Sequence, residues 1–119
     1  MIRKRTIRLG TLNVQGRRKK TGEIIMGLEE LKQDITVLTE TKKKGNGVEI
    51  LGTYLHFYSG VPKEKRAKRG VSILVKKRYK SCITTWEAVN ENMIKLHMNL
   101  FGKKLCILGI YAIKMTNML

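Results

Sequence analysis

The chain has 119 residues and a mass of 13.7 kDa, which is about the size of one domain and excludes a large multidomain enzyme. Its 25 lysine and arginine residues against 9 aspartate and glutamate residues give a net charge of +16, yet 42% of the residues are hydrophobic. Disordered basic tails rarely contain so many apolar residues. We therefore expect a folded core with a positively charged surface, whose natural partner is a polyanion.

The positive charge is concentrated in two windows, residues 1–20 and 63–80, each with a net charge of +8. Together the windows account for the whole net charge, and such clustering favours contacts to a phosphate backbone, with solvated loop charge as the alternative. The same runs also fit nuclear-localisation signals. The candidate nucleic-acid-binding residues are Arg17, Arg18, Lys19, Lys20, Lys65, Arg66, Lys68 and Arg69.

The rest of the composition predicts a nuclear or cytoplasmic protein that is not secreted and does not enter a membrane. No apolar stretch of signal-peptide or membrane-spanning length is present. Cys82 and Cys106 both lie within apolar runs, so we expect two buried thiols in a reducing compartment.

The first 40 residues predict a strand, a helix and a second strand. Residues 7–14 have strand character, and residues 21–33 place Ile24, Ile25, Leu28 and Leu31 at helical spacing. Residues 35–40 again favour a strand. This order predicts a βαβ unit with a parallel strand pair.

The remaining residues predict short antiparallel strands, so that one α/β domain, or part of one, accounts for the chain. The predicted elements are a turn at 45–47, a strand at 54–58, a basic loop at 62–70, strands at 71–75 and 81–85, and a hairpin of 93–100 with 104–113.

Several polar residues follow apolar strands, which is where functional side chains gather in an open α/β sheet. The segments are Leu12-Asn13-Val14-Gln15-Gly16, Leu38-Thr39-Glu40-Thr41-Lys42, Arg69-Gly70-Val71 and Gly109-Ile110-Tyr111-Ala112. In this order they resemble the endonuclease/exonuclease/phosphatase superfamily, which has the deoxyribonuclease-I-like fold also found in apurinic/apyrimidinic endonucleases. Within it, they look most like the endonuclease domain of LINE-type (non-LTR) retrotransposons and craniofacial-development-protein-2-like proteins.

The resemblance covers residues 7–112 and leaves 113–119 as an unmatched tail. It implies that residues 1–119 form a partial domain, the N-terminal half of a four-layer α/β sandwich. Complete relatives nick DNA with Mg²⁺, so the implied cofactor is magnesium and the implied partner is DNA, with RNA as the alternative.

The resemblance also implies roles for three residues. Glu40 matches the metal-binding glutamate, Asn13 the asparagine that helps to hold metal and phosphate, and Tyr111 the tyrosine near the scissile phosphate. A carboxylate suits Mg²⁺, which prefers hard oxygen ligands. Each residue also has a plain structural interpretation: Asn13 as a turn residue, Glu40 as a solvated strand end and Tyr111 as a core residue.

The sequence departs from the superfamily in its later motifs. An Asp-x-Asn segment and a Ser-Asp-His segment are missing, since Asp34 is the single aspartate and no histidine follows His97. We therefore expect a catalytically incomplete, truncated endonuclease domain of retrotransposon origin, for which another chain would supply the missing half. The alternative is a non-catalytic basic nucleic-acid-binding protein, either a domesticated remnant or a ribosomal-type protein.

Overall fold

The computed structural model describes residues 6–15 and 21–111. One helix, one short 3₁₀ helix and eight strands lie within these ranges, and no helix among them is long and apolar enough to cross a bilayer. The elements are β1 (Leu9–Asn13), α1 (Thr21–Glu30), β2 (Ile35–Thr39), β3 (Asn46–Leu51), β4 (Tyr54–Ser59), β5 (Val71–Lys76), the 3₁₀ helix (Lys77–Cys82), β6 (Ile83–Asn90), β7 (Met93–Leu100) and β8 (Lys103–Ile110).

Five strands form one sheet in the order β1-β2-β5-β4-β3. β1 and β2 are parallel and are connected through α1, whereas all other neighbouring pairs in this sheet are antiparallel. The predicted βαβ unit is therefore confirmed. The hydrophobic pattern of β5 is continuous because this strand is central and buried on both faces.

The other three strands form an antiparallel sheet in the order β6-β7-β8, which packs face to face on the first sheet. β6 lies over β4, β7 over β5 and β8 over β2. Alternate residues of β7 enter the interface, as expected for a half-buried strand. The buried cluster between the sheets consists of Ile35, Leu55, Phe57, Val71, Ile73, Val75, Ile94, Leu96 and Met98.

Helix α1 covers the outer face of the five-stranded sheet. Ile25 and Leu28 pack against Leu38, Tyr54 and Leu74, which point away from the second sheet. The helix ends at Glu30, three residues before the predicted end, because Lys32 adopts a left-handed φ of 54° and the chain turns towards β2. Its final predicted apolar residue is consequently exposed.

The predicted turn at residues 45–47 is wrong, because Asn46 and Gly47 begin β3, a strand that the sequence did not predict. Gly47 fits there because the Tyr58 hydroxyl lies 2.6 Å from where a Cβ would stand. The reversal instead occurs at residues 52–53, between β3 and β4. The strand predicted from residue 81 begins two residues later, after the 3₁₀ helix.

The expectation of two buried thiols is also wrong. Cys82 is half-buried and Cys106 is exposed. For Cys106 the cause is the two-residue period of β8, which directs Leu105 and Ile107 towards the core and Cys106 to the outer face of the sheet.

Among residues 6–15 and 21–111, each sheet has an edge strand without a further partner on the same side of the sandwich. β1 ends the five-stranded sheet, and β8, which lies over β2, ends the other. A cavity of about 380 Å³ opens between them, lined by Leu9, Ile35, Val37 and Ile107 among others. Leu9 is 62% exposed, so apolar surface remains uncovered along this side within the described residues.

Asp34 fixes the opposite end of β2. Its carboxylate accepts hydrogen bonds from the Arg8 N–H (2.8 Å), Arg78 Nη2 (2.6 Å) and the Tyr79 hydroxyl (3.2 Å). Burial by itself raises the pKa of Asp34, but these donors outweigh burial and hold the pKa below its usual value. Asp34 thus has a structural role far from Glu40, at the other end of the strand.

We expect Asp34→Asn to lower the free energy of unfolding by about 1–3 kcal/mol at pH 7, because charged hydrogen bonds are lost in a buried site. The folded pKa is depressed, so this stabilisation is present above the unfolded pKa of about 3.9 and is lost as the pH falls through the folded value. Urea unfolding between pH 2 and 7 measures both effects. The exposed Glu87→Gln is the control, and an equal acid dependence in the wild type and Asp34→Asn would contradict this role.

Candidate functional site

The parallel pairing of β1 and β2 brings two predicted site residues to one edge of the sheet. Asn13 is the last residue of β1 and is paired in register with Thr39, the last residue of β2. Glu40 follows directly. The pairing continues beyond both strands, since the Val14 N–H donates to the Thr39 carbonyl at 3.0 Å. Asn13 and Glu40 therefore leave the sheet side by side.

The chain after Glu40 is held against the loop that precedes β5. The Thr41 N–H donates to the Gly70 carbonyl (3.2 Å), and the Lys42 N–H donates to the Arg69 carbonyl (2.6 Å). Glu40, Lys42 and Arg69 all have left-handed φ values near 55°. Such backbone costs of order 1 kcal/mol per residue and gathers at functional sites. Gly70, at φ 98°, is needed because a Cβ there would lie 2.4 Å from Thr41 Oγ1.

Tyr111 follows β8 and reaches Glu40 from the second sheet. Its hydroxyl donates to Glu40 Oε1 at 2.7 Å, and its N–H donates to the Asn92 carbonyl at 2.9 Å. The hydrogen bond to the Glu40 carboxylate raises the pKa of Tyr111, burial adds to the rise, and the positive charge of Arg69 opposes it. The structure thus brings Glu40, Tyr111 and Arg69 together from three strand ends.

Asn13 has a local contact that bears on its predicted role. Its Oδ1 accepts a hydrogen bond from the Gln15 N–H at 3.0 Å, which closes a turn after β1. Gln15 itself has a left-handed φ of 50°. Asn13 therefore forms the turn that its residue type permits, while standing beside Glu40; its role towards metal and phosphate stays a prediction.

The acidic ligand set at this edge is small. Within residues 6–15 and 21–111, no three His, Cys, Asp or Glu side chains are close enough to hold a metal ion together. Mg²⁺ often binds proteins through one or two carboxylates while keeping several waters. Glu40 is half-buried and has one carboxylate oxygen bonded to Tyr111, so it fits Mg²⁺ as a single anchoring ligand.

The predicted basic loop lies beside a third group of lysines, residues 42–44, which the two windows of positive charge do not include. The Gly45 N–H donates to the Val61 carbonyl (2.8 Å) and the Gly60 N–H to the Gly45 carbonyl (3.0 Å), so the segment after β2 runs along this loop. A Cβ on Gly60 would collide with the Lys43 carbonyl, which shows how closely the segments approach. We call residues 42–44 and 63–69 together the basic surface.

The basic surface includes four of the predicted nucleic-acid-binding residues, Lys65, Arg66, Lys68 and Arg69. Lys42, Lys43 and Lys44 were missed because acids elsewhere in the chain balance them when charge is summed. Their position directly after Glu40 was the available signal. The remaining four predicted binding residues, Arg17, Arg18, Lys19 and Lys20, lie outside the described residues.

No protein-family model matches the sequence, and no curated protein matches it. Several solved structures are similar in fold, including the following two. An AP endonuclease from Archaeoglobus fulgidus aligns with 85% of this chain and 40% of its own, with a TM-score of 0.60 and 18% identity. The catalytic domain of Xenopus laevis APE2 aligns with 85% of this chain and 43% of its own, with a TM-score of 0.57 and 16% identity.

The chain has the deoxyribonuclease-I-like fold. The predicted fold class is therefore confirmed, with both sheets and the βαβ start in place. The chain spans about 40% of the length of these two structures. At these identities the similarity establishes the fold, and roles for individual residues rest on the geometry described above.

We expect Glu40→Gln to lower the pKa of Tyr111 towards the usual value of about 10, because the neutral amide no longer favours the protonated hydroxyl. Tyrosine labelled with ¹³C at Cζ allows each ring to be titrated separately by NMR. Glu49→Gln, on β3, is the matched control and should leave Tyr111 unchanged. An unaltered Tyr111 pKa in Glu40→Gln would contradict the hydrogen bond.

Proposed function

We propose that this chain is an endonuclease-like, DNA-binding unit of retrotransposon origin that is catalytically incomplete on its own. The observation that carries the proposal is the convergence of Glu40, Asn13 and Tyr111 at the strand ends beside the basic surface. The deoxyribonuclease-I-like fold supports it. The retrotransposon origin rests on the resemblance of the four short segments to LINE-type endonuclease domains.

The proposed binding mode follows from charge. The sugar-phosphate backbone lies along the basic surface, where lysine and arginine side chains neutralise phosphates and release counterions. Glu40, with Asn13 beside it, faces the phosphate that comes nearest to the strand ends. A bound Mg²⁺ would be held by Glu40 and would supply positive charge to the phosphate oxygens and to a bound water.

Hydrolysis also requires a group that removes a proton from the attacking water. Tyr111 does not suit this task, because its raised pKa keeps the hydroxyl protonated at neutral pH. Asp34 is engaged at the other end of β2. We therefore propose that a further polypeptide segment supplies the missing acid–base groups, and that the protein acts in the nucleus or cytoplasm.

A second candidate function is nucleic-acid binding without a metal, as in a domesticated remnant. The observation that favours it is the hydrogen bond from Tyr111 to Glu40 Oε1, which already satisfies part of the carboxylate. The two candidates differ in whether Mg²⁺ changes the protein. Chemical-shift changes at Glu40 during a Mg²⁺ titration support the first, and their absence supports the second.

We expect binding to duplex DNA to weaken steeply with salt, with a slope of about −0.9 per phosphate contact in a plot of log affinity against log salt. Lys65→Gln/Lys68→Gln should reduce the magnitude of the slope by about 2, since it removes two contacts. Lys103→Gln/Lys104→Gln, at the start of β8, is the charge-matched control and should leave the slope unchanged. Equal slopes for both pairs, or affinity insensitive to salt, would overturn the proposed binding surface.

We expect the purified chain to produce little or no nicking of supercoiled plasmid DNA in the presence of Mg²⁺, because the acid–base groups are missing. Gel electrophoresis of the relaxed form measures the reaction. Robust nicking that is abolished by Glu40→Gln would show a complete site and refute catalytic incompleteness. Nicking that persists in Glu40→Gln would point to a contaminating nuclease, and the preparation would then be repurified before scoring.

A further inference from the structure

A buried histidine pairs with a half-buried glutamate on the outer face of the five-stranded sheet. His56 on β4 is paired in register with Glu49 on β3, and its Nδ1 is 2.7 Å from Glu49 Oε2. The His56 side chain is 6% exposed. Lys43 Nζ lies 3.5 Å from the same carboxylate oxygen, so the pair is linked to the basic surface.

The contact with Glu49 determines which ring nitrogen of His56 can accept a hydrogen bond from a ligand. Because a carboxylate only accepts, Nδ1 carries the proton and Nε2 is a hydrogen-bond acceptor. Burial lowers the pKa of His56, and Glu49 only partly offsets this, so the ring is neutral near pH 7. Nε2 is buried and has no hydrogen-bond partner among the described residues. A buried acceptor without a partner is costly, and a ligand that donates to it removes that cost.

A cavity of about 310 Å³ adjoins this pair, between α1 and the sheet. His56, Glu49 and Lys43 line one part of it, and Thr41, which directly follows Glu40, also lines it. The rest of the wall is mainly apolar, from Val14, Ile24, Ile25, Leu38, Leu51 and Leu74. A mostly apolar cavity of this size with a few polar groups is typical of small-molecule sites.

We propose that this cavity binds a nucleobase, which donates an N–H to His56 Nε2 while its phosphate contacts Lys43 and the basic surface. A base matches the wall because it is flat, has apolar faces and carries N–H donors at its edge. The adjoining lysines select a ligand that carries phosphate. The inference rests on the proposed nucleic-acid binding and adds a site that recognises the base itself.

Two kinds of ligand present a nucleobase together with a phosphate: a free mononucleotide and an unpaired nucleotide within a strand. Calorimetry with AMP, GMP, CMP and UMP, each compared with ribose 5-phosphate, tests the first. At least one mononucleotide should bind tenfold or more tightly than ribose 5-phosphate and shift the ¹⁵Nε2 resonance of His56. Duplex DNA with one unpaired nucleotide, compared with the same duplex carrying an abasic bulge, tests the second.

Base-independent binding in both comparisons, or an unmoved His56 Nε2 resonance at saturation, would overturn the proposal. His56→Phe should weaken base-dependent binding at least tenfold, whereas His97→Phe, at an exposed position of β7, should not. If far-UV circular dichroism shows that His56→Phe is unfolded, Ile24→Trp decides instead, because it fills the cavity from α1. Retention of base-dependent binding in the folded variant would refute the site.

The test separates this inference from the proposed function. Fully paired duplex DNA should bind His56→Phe and the wild type within twofold, because the backbone contacts lie on the basic surface. Loss of base dependence with retained duplex binding confirms both proposals. Duplex binding without any base dependence leaves the proposed function in place and removes the cavity site, whereas loss of salt-dependent duplex binding removes the proposed function.

Discussion

The parallel pairing of β1 with β2 is the constraint from which the candidate site follows. Parallel strands require a crossover, which α1 provides, and their carboxyl ends then meet at one edge. β5 runs antiparallel to β2, so its first residue stands opposite the last residue of β2, in the pair Thr39–Val71. The loop before β5 is thereby placed against the segment after β2, and Arg69 comes to lie near Glu40.

The face-to-face packing of the two sheets brings Tyr111 to the candidate site, beside Glu40 and Arg69. β8 lies over β2, so the residue after β8 reaches the same edge as Glu40. The bond from Tyr111 to Glu40 is therefore a contact between sheets that are far apart in sequence. Its geometry depends on the buried cluster between the sheets, which sets their relative position. A core substitution that shifts one sheet would therefore alter the hydrogen bond between Tyr111 and Glu40, even where the substituted residue contacts neither of them.

Sequence reasoning recovered most elements of the fold because its strongest signals were local and periodic, whereas the fold class came from the resemblance of four short segments. The helix spacing of α1, the continuous apolar run of β5 and the alternation of β7 each determine an element without help from distant residues. β3 was missed because Gly45-Asn46-Gly47 has turn-forming residues, whereas in the structure Tyr58 packs against Gly47 across the strand pair. The burial of Cys106 was predicted wrongly because an apolar run does not indicate on which face of the strand each side chain lies.

The candidate site was recovered less fully, because it depends on contacts between segments. Glu40 and Tyr111 were found because the segments that hold them follow apolar strands and resemble motifs of the superfamily, but their hydrogen bond joins residues 71 positions apart. Lys42, Lys43 and Lys44 acquire their significance only when the loop before β5 lies beside them. The His56–Glu49 pair depends on the register of β3, the strand that was missed.

Around Glu40, the arrangement suits holding a phosphate better than activating a water. The neighbouring cations stabilise negative charge on an oxygen, and Tyr111 presents a hydroxyl that stays protonated because its pKa is raised. A hydroxyl that stays protonated at neutral pH does not take a proton from an attacking water. Under the proposed function, binding energy at this edge stabilises the bound backbone, and a rate enhancement requires a base positioned from elsewhere. Within the part of the chain that the structure describes, β1 and β8 end their sheets on the same side of the sandwich, where a further strand-forming segment can add to both sheets.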